Sequence, residues 1–489
     1  MKTTTLLLVT ACFLLSTTFT AFGQKKSQTI TFSSSNPEAM ELFNQGLKAY
    51  DELDFPTANR LFKQAAAKDQ NFAAAFLFAS SSSQNPKEFA ENIAKAKSIK
   101  NATAADKLQL QLAESFLTDN WNQRMAAAQA MVKTFPQSAR AYVELANTYA
   151  ANYKMAEARK AFEKAIQLEP DWVGGYVGLA SSYAFDEPKN MALAEKYASQ
   201  AVERTPNSVG MQVLLGDVYR GQHALEKARD AYSNAMKIQE DNPVSYYKRG
   251  HALTYLGKLE DARKDYMMAG QKDKEGSSLA NQSIAFTYLY ADDPTTAYKF
   301  LVDAESEITP STNPVNNQRK YELLYAAANI ASHTNNPEQV IDIMKKMEPL
   351  SMQIGNDLGT KEGKHLTKSD MLYWRAIAEA IKGDFNAAEK TANEMKTELA
   401  SIVNPRKYET HESLLGFINF KQARYDQAVN NFKQSNKNNV YNKYWLARSY
   451  EAAGDKANAT AIYKEIADHN FNSVGYALIR NEVKNKIKE

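Results

Sequence analysis

The chain holds one cysteine in 489 residues, Cys12. It lies in an N-terminal segment that reads as a cleaved leader, so the mature chain is expected to hold none. Disulfides and thiolate zinc sites are then excluded. After that segment no long apolar run remains, and no membrane insertion is expected once the leader is gone. An excess of charge is lacking too. The 59 basic and 56 acidic residues are spread along the chain and leave a net +3, which offers no basic field to a nucleic acid.

Short catalytic motifs are equally scarce. The six histidines form no close-spaced metal pair. His411-Glu412 opens like a zinc-protease helix, but Leu415 stands where the second histidine is required. Gly359 to His365 is one residue short of a phosphate-binding loop and lacks its Ser or Thr. Gly276 to Ala280 and Ser245-x-x-Lys248 match hydrolase and β-lactamase elements without the strand or partner motifs these need. No catalytic residue, cofactor or metal is expected.

What is present begins with Met1-Lys2, an uncharged run from Thr3 to Phe22, and small residues at Ala21-x-Gly23. This is the pattern of a secretory signal peptide over 1–23, and it predicts an exported, periplasmic or secreted chain starting at Gln24. Val9-Thr10-Ala11-Cys12 also has the form of a lipid-attachment site, which leaves a lipid anchor at Cys12 as the alternative. Residues 24–37 read as a flexible leader.

The body of the sequence is periodic. In Ala139 to Trp172, Tyr142, Leu145, Ala146 and Tyr149 share one helical face. Ala158, Phe162 and Ala165 share another, and Pro170 ends the pair. Stepping about 34 residues repeats the pattern. Leu215, Gly216 and Tyr219 lead to Ala228, Tyr232 and Ala235; Tyr246, Gly250 and Leu253 lead to Ala262, Tyr266 and Ala269. The small residues let helices approach closely and the rings fill the space between turns.

This register resembles the tetratricopeptide repeat. The resemblance implies an all-α fold, a right-handed superhelical solenoid of antiparallel helix pairs. Repeats are expected over 38–350, degenerate over 73–138, where Arg124 takes the place of a small residue. A polar insertion at 351–368, with Gly355, Gly359 and Gly363, reads as a loop or hinge. Thr309 to Gln318, with Pro310 and Pro314, reads as another loop. Further repeats follow over 369–473, and a capping helix over 474–489.

The resemblance also implies that the first helix of each pair lines the concave face. Positions one residue beyond the packing stripe then face a groove. These are Asn147 and Ala150, Ser181 and Phe185, and Asp217 and Arg220. They continue with Tyr247, His251 and Tyr255, then Gln282, Phe286 and Tyr290, then Tyr325 and Asn329. Rings beside hydrogen-bonding groups suit a peptide, so the stretch from Tyr247 to Asn329 is the expected partner site. The chain reads as an exported protein-interaction scaffold with a protein or peptide partner. The alternative is a lipid-anchored component of an envelope assembly or secretion complex.

Overall fold

The computed structural model describes residues 29–273, 276–309 and 314–488. The leader at 1–23, and Cys12 with it, lies outside them. Among the described residues there are 25 helices and no strand. They run as twelve pairs and a last single helix.

The first four pairs are α1 (Pro37–Asp51) with α2 (Phe55–Lys68), α3 (Ala73–Ser81) with α4 (Pro86–Ser98), α5 (Ala104–Leu117) with α6 (Trp121–Thr134), and α7 (Ala139–Ala150) with α8 (Met155–Leu168). The middle four are α9 (Gly174–Phe185) with α10 (Met191–Arg204), α11 (Val209–Gly221) with α12 (Leu225–Ile238), α13 (Pro243–Tyr255) with α14 (Leu259–Lys272), and α15 (Leu279–Tyr290) with α16 (Pro294–Glu307). The last four are α17 (Pro314–His333) with α18 (Pro337–Leu358), α19 (Lys361–Lys382) with α20 (Phe385–Leu399), α21 (Glu409–Lys421) with α22 (Tyr425–Gln434), and α23 (Val440–Ala452) with α24 (Lys456–Ala467). The single helix α25 spans Val474–Lys486. First helices of successive pairs touch one another, as α7 does α9 and α9 does α11, and so form the inner layer.

One contact sets the pairing. A small residue on the first helix meets a ring sixteen positions later on the second. A Cβ added at Gly216 would lie 2.4 Å from the Tyr232 ring, and one at Gly250 would lie 2.5 Å from Tyr266. Gly46 with Phe62 and Gly416 with Phe432 repeat the arrangement. Ala228 and Ala262, on the second helices, are fully buried beside these rings. Where the degenerate pair carries Arg124 instead, its guanidinium lies 3.8 Å from the centre of the Phe116 ring and donates to Ser115. The long side chain thereby finds partners in a place built for a methyl group.

Three boundaries differ from the sequence expectations. The segment 351–368 is helical, not a loop or hinge. Only Gly359 and Thr360 separate α18 from α19; Gly359 is left-handed at φ 69° and Thr360 caps the next helix through the Gly363 N–H. Gly355 and Gly363 serve close packing there, since an added Cβ at Gly355 would sit 2.6 Å from Thr367 Oγ1. Likewise α17 already begins at Pro314, because proline suits a first helical turn. The described part of the leader, from Thr29, is packed rather than free. The Phe32 ring lies 5.2 Å from Phe43 and 5.3 Å from Phe78.

The solenoid coils back on itself. Turns within early pairs meet loops between late pairs along a continuous seam. Val403 O accepts from the Trp121 N–H at 2.8 Å, and Asn404 donates to Asp119 at 2.8 Å. Arg406 donates to Ala151 O at 2.8 Å, and the Tyr153 hydroxyl to Asn436 at 3.0 Å. Asn470 joins His223 at 2.8 Å, and Asn481 donates to Asp292 at 2.8 Å. At the other end, Asp51 at the end of α1 holds Arg140 at 2.7 Å and the Trp172 indole at 2.8 Å.

The pairing contact has a direct test. Gly216→Ala drives a methyl group into the Tyr232 ring and should destabilise the chain by about 1–3 kcal/mol through overpacking. The denaturant midpoint measures it, with helicity retained in the folded baseline. A midpoint equal to that of the parent would show that the ring yields freely.

Candidate functional site

The stretch expected to be a partner groove is not open. Tyr247, Tyr255, Phe286 and Tyr290 are only 6–8% exposed. The chain's own C-terminal segment lies across much of it. Tyr290 donates to Asn472 Oδ1 at 2.8 Å, and Asn472 reaches His251 at 3.3 Å. The Tyr476 ring stands 6.2 Å from Tyr255, and the Arg480 guanidinium lies about equally close to Tyr255 and Tyr290. Tyr247 is held by Asp273 and Ser277, and burial pushes its hydroxyl up to about 12. Burial, and then the charges of Arg220 and Lys248, hold the His251 pKa well below the ordinary value, so its ring is neutral. Phe286 packs in the core with Leu323 and Leu324. Gln282 donates to Ser278 at 2.6 Å.

The reason is topological. The inner-layer register does turn these residues inward. Closure of the coil then brings α25 onto them, burying Tyr476, Ile479 and Val483 completely. Of the expected site only Tyr325 stays open, at 41% exposure, with Asn329 beside it donating to the Tyr325 carbonyl. A single-repeat reading holds no signal for this, because the contact partners are about 190 residues apart.

The open part of the inner layer lies earlier, over α7 and α9. A cleft there is lined by Glu144, Asn147 and Ala150 from α7 and by Gly174, Gly178 and Ser181 from α9. Tyr50, Phe55 and Trp172 wall it. Its floor is flat because both glycines lie under rings: a Cβ at Gly178 would come within 2.2 Å of Phe162, and one at Gly174 within 2.5 Å of Trp172. Asn147 is exposed, and Glu144 and Ser181 are half-buried. Among the described residues, none of these three side chains has a hydrogen-bond partner in the chain. Burial raises the Glu144 pKa against the opposing charge of Arg140. Asp51, Glu144 and Asp186 face one cation, Arg140, so the cleft is acidic.

A second cleft adjoins it over α11 and α13. Phe185, Asp217, Arg220 and Lys248 meet the loop and helices of the last pair there, through Lys443, Glu465 and Phe471. Asp217 accepts from Lys248 at 2.6 Å, from Tyr232 at 2.7 Å and from Arg220 at 3.0 Å.

Among known families, the model of the tetratricopeptide repeat matches residues 139–172, which are the pair α7 and α8 with the loop that follows. The same small-residue and ring register recurs along the array. The chain is a tetratricopeptide-repeat protein. The array is 26% identical over 156 residues to the anaphase-promoting complex subunit CDC16 of Saccharomyces cerevisiae, across 30% of this chain and 18% of that one. It is 20% identical over 308 residues to the protein O-mannosyl-transferase TMTC3 of Homo sapiens, across 57% of this chain and 32% of that one. Two solved structures align with it. One is PilW, a widely conserved type IV pilus biogenesis factor, at 16% identity and a TM-score of 0.36, over 43% of this chain and 97% of that one. The other is YrrB, a repeat protein with an unusual peptide-binding site, at 19% identity and a TM-score of 0.27, over 37% and 91%.

The burial of the rings has its own test. Tyr247→Ala, Tyr255→Ala and Tyr290→Ala together should lower stability sharply, because emptying a core ring position costs on the order of 3–5 kcal/mol each. Urea unfolding reads the loss. A triple variant as stable as the parent would return these rings to a free surface.

Proposed function

We propose that this chain is an exported, non-catalytic scaffold that holds a protein or peptide segment in the cleft over α7 and α9. One observation carries the reading. Glu144, Asn147 and Ser181 converge on an open cleft and spend none of their side-chain hydrogen-bonding capacity within the chain. Groups left this way at a surface are satisfied by water or by a ligand, and rings beside them add apolar area for a partner. The acidic lining favours a segment that brings a lysine or arginine, and Tyr50, Phe55 and Trp172 offer faces to its cation. Tyr325 and Asn329 extend the same inner layer as a secondary contact. The transferase activity in the name of the human relative belongs to a protein of which the match spans 32%; it is not part of this proposal.

Selection from a displayed library of random peptides tests the cleft. Enriched peptides should carry a basic residue, and Glu144→Gln should weaken them at least about tenfold while the melting temperature stays put. Peptides that bind the Glu144→Gln, Asn147→Ala double variant as well as the parent would place the surface elsewhere.

Export rests on the leader at 1–23. Intact mass of the chain recovered from an envelope fraction should correspond to a start at Gln24. A mass set by an acylated Cys12 would replace this with the lipid-anchored component of an envelope assembly.

A further inference from the structure

We propose that the second cleft is a binding site for one anionic group, a carboxylate or a phosphate, clasped between α11 and α13 on one side and the last repeat on the other. The site is separate from the cleft over α7 and α9, and its existence does not depend on a peptide binding there.

The argument starts from Arg220. It is 2% exposed and lines this cleft, yet its Nε and Nη1 have no hydrogen-bond partner. Only Nη2 is engaged, by Asp217 at 3.0 Å. A guanidinium stays charged at any ordinary pH, so unpaired donors on a buried one are costly, and a group that accepts from them recovers that cost.

Charge counting points the same way. Asp217 is the only carboxylate beside Arg220, and it is shared with Lys248 at 2.6 Å. At the rim, Glu187 is taken by Lys189 and Glu465 by Lys443. Four cations therefore face three carboxylates, and the surplus positive charge sits in the part most shielded from water. Buried charges are normally balanced by a counter-charge. The neighbouring imidazole senses the surplus. His469 is depressed to about 4, first by burial and then by the charges of Lys189, Lys443 and Arg220.

The setting selects for one group rather than a polyanion. The Phe471 ring lies 4.9 Å from the Arg220 guanidinium, and Phe185 forms an edge contact with it at 5.0 Å, so the rear wall is apolar. The loop carrying Phe471 is tied down by Asn470, which donates to the Arg220 carbonyl at 3.2 Å. An anion seated at Arg220 would touch both coils of the solenoid and hold them together.

Isothermal titration calorimetry and thermal melting of the full chain, at constant ionic strength, decide this with sodium phosphate and sodium acetate as probes. The expected result is saturable binding of one ion per chain with a rise in melting temperature. Response to phosphate alone identifies a phosphate group as the natural ligand chemistry, and response to acetate identifies a carboxylate; both support the site. Lys248→Met, which removes the surplus charge at the half-exposed rim, should weaken binding at least tenfold. Arg220→Met should abolish it. If Arg220→Met fails to fold by circular dichroism, Lys248→Met alone decides. No saturable binding of either ion overturns the proposal, and so does binding that Lys248→Met leaves unchanged.

Discussion

The whole architecture depends on the seam where early turns meet late loops. A helical solenoid is one-dimensional as long as each repeat touches only its neighbours. Here Asp119, Tyr153, His223 and Asp292 bind residues roughly 190 to 285 positions away. These four share a backbone feature as well. Each sits in the turn between the helices of its pair with φ between 45° and 61°, a left-handed conformation that costs a non-glycine residue about 1–2 kcal/mol. Gly257, Gly383 and Gly454 hold the same turn position in other pairs, and no atom would lie within 4 Å of a side chain there. A side chain is kept where the second coil passes over the turn, and glycine stands where nothing does. Ala423, exposed in the same conformation, is the exception.

Closure redistributes the inner layer between two roles. Over α13 and α15 the inward-facing rings become core, because α25 and the loop before it occupy the space a partner would need. Over α7, α9 and α11 no helix of the chain enters, and two clefts of opposite charge remain side by side. Asp186 lines the acidic one and Phe185 the basic one, so adjacent residues at the end of α9 belong to different sites. The tetratricopeptide register alone does not distinguish these roles; they are set by which repeats the second coil covers.

This also explains which parts of the molecule were legible beforehand. The pairing of Gly216 with Tyr232 and Gly250 with Tyr266 is a local matter of sixteen residues, and it shows directly as periodicity. The inward direction of Asn147, Ser181, Tyr255 and Tyr290 follows from the same period. Burial of Tyr255 and Tyr290 does not follow, since it depends on Asn472 and Tyr476, far along the chain. The three glycines between 351 and 368 misled for a related reason. Glycine marks a turn when its φ is positive, as at Gly359, and a close helix crossing when a neighbour lies against its Cα, as at Gly355. Composition cannot separate the two. A usable sign of closure was present in the non-glycine residues at left-handed turn positions, Tyr153 above all, where a flexible solenoid would be expected to place glycine.

The two ends of the seam are held by different physics. At the C-terminal end α25 buries Tyr476, Ile479 and Val483 completely, and apolar side chains of this size each contribute about 1.5–3 kcal/mol when removed from water. Along the rest of the seam the contacts are mainly hydrogen bonds from Asn404, Arg406, Asn438 and Asn470. Each of these is worth only about 0.5–1.5 kcal/mol net, because water offers the same groups a substitute. The coil is therefore anchored firmly at α25 and fastened more lightly along the edge that borders the clefts. Loops 400–408 and 435–439 can exchange their contacts for water at far smaller cost than α25 can leave its bed, so the edge nearest the open clefts is also the part of the closure most easily parted.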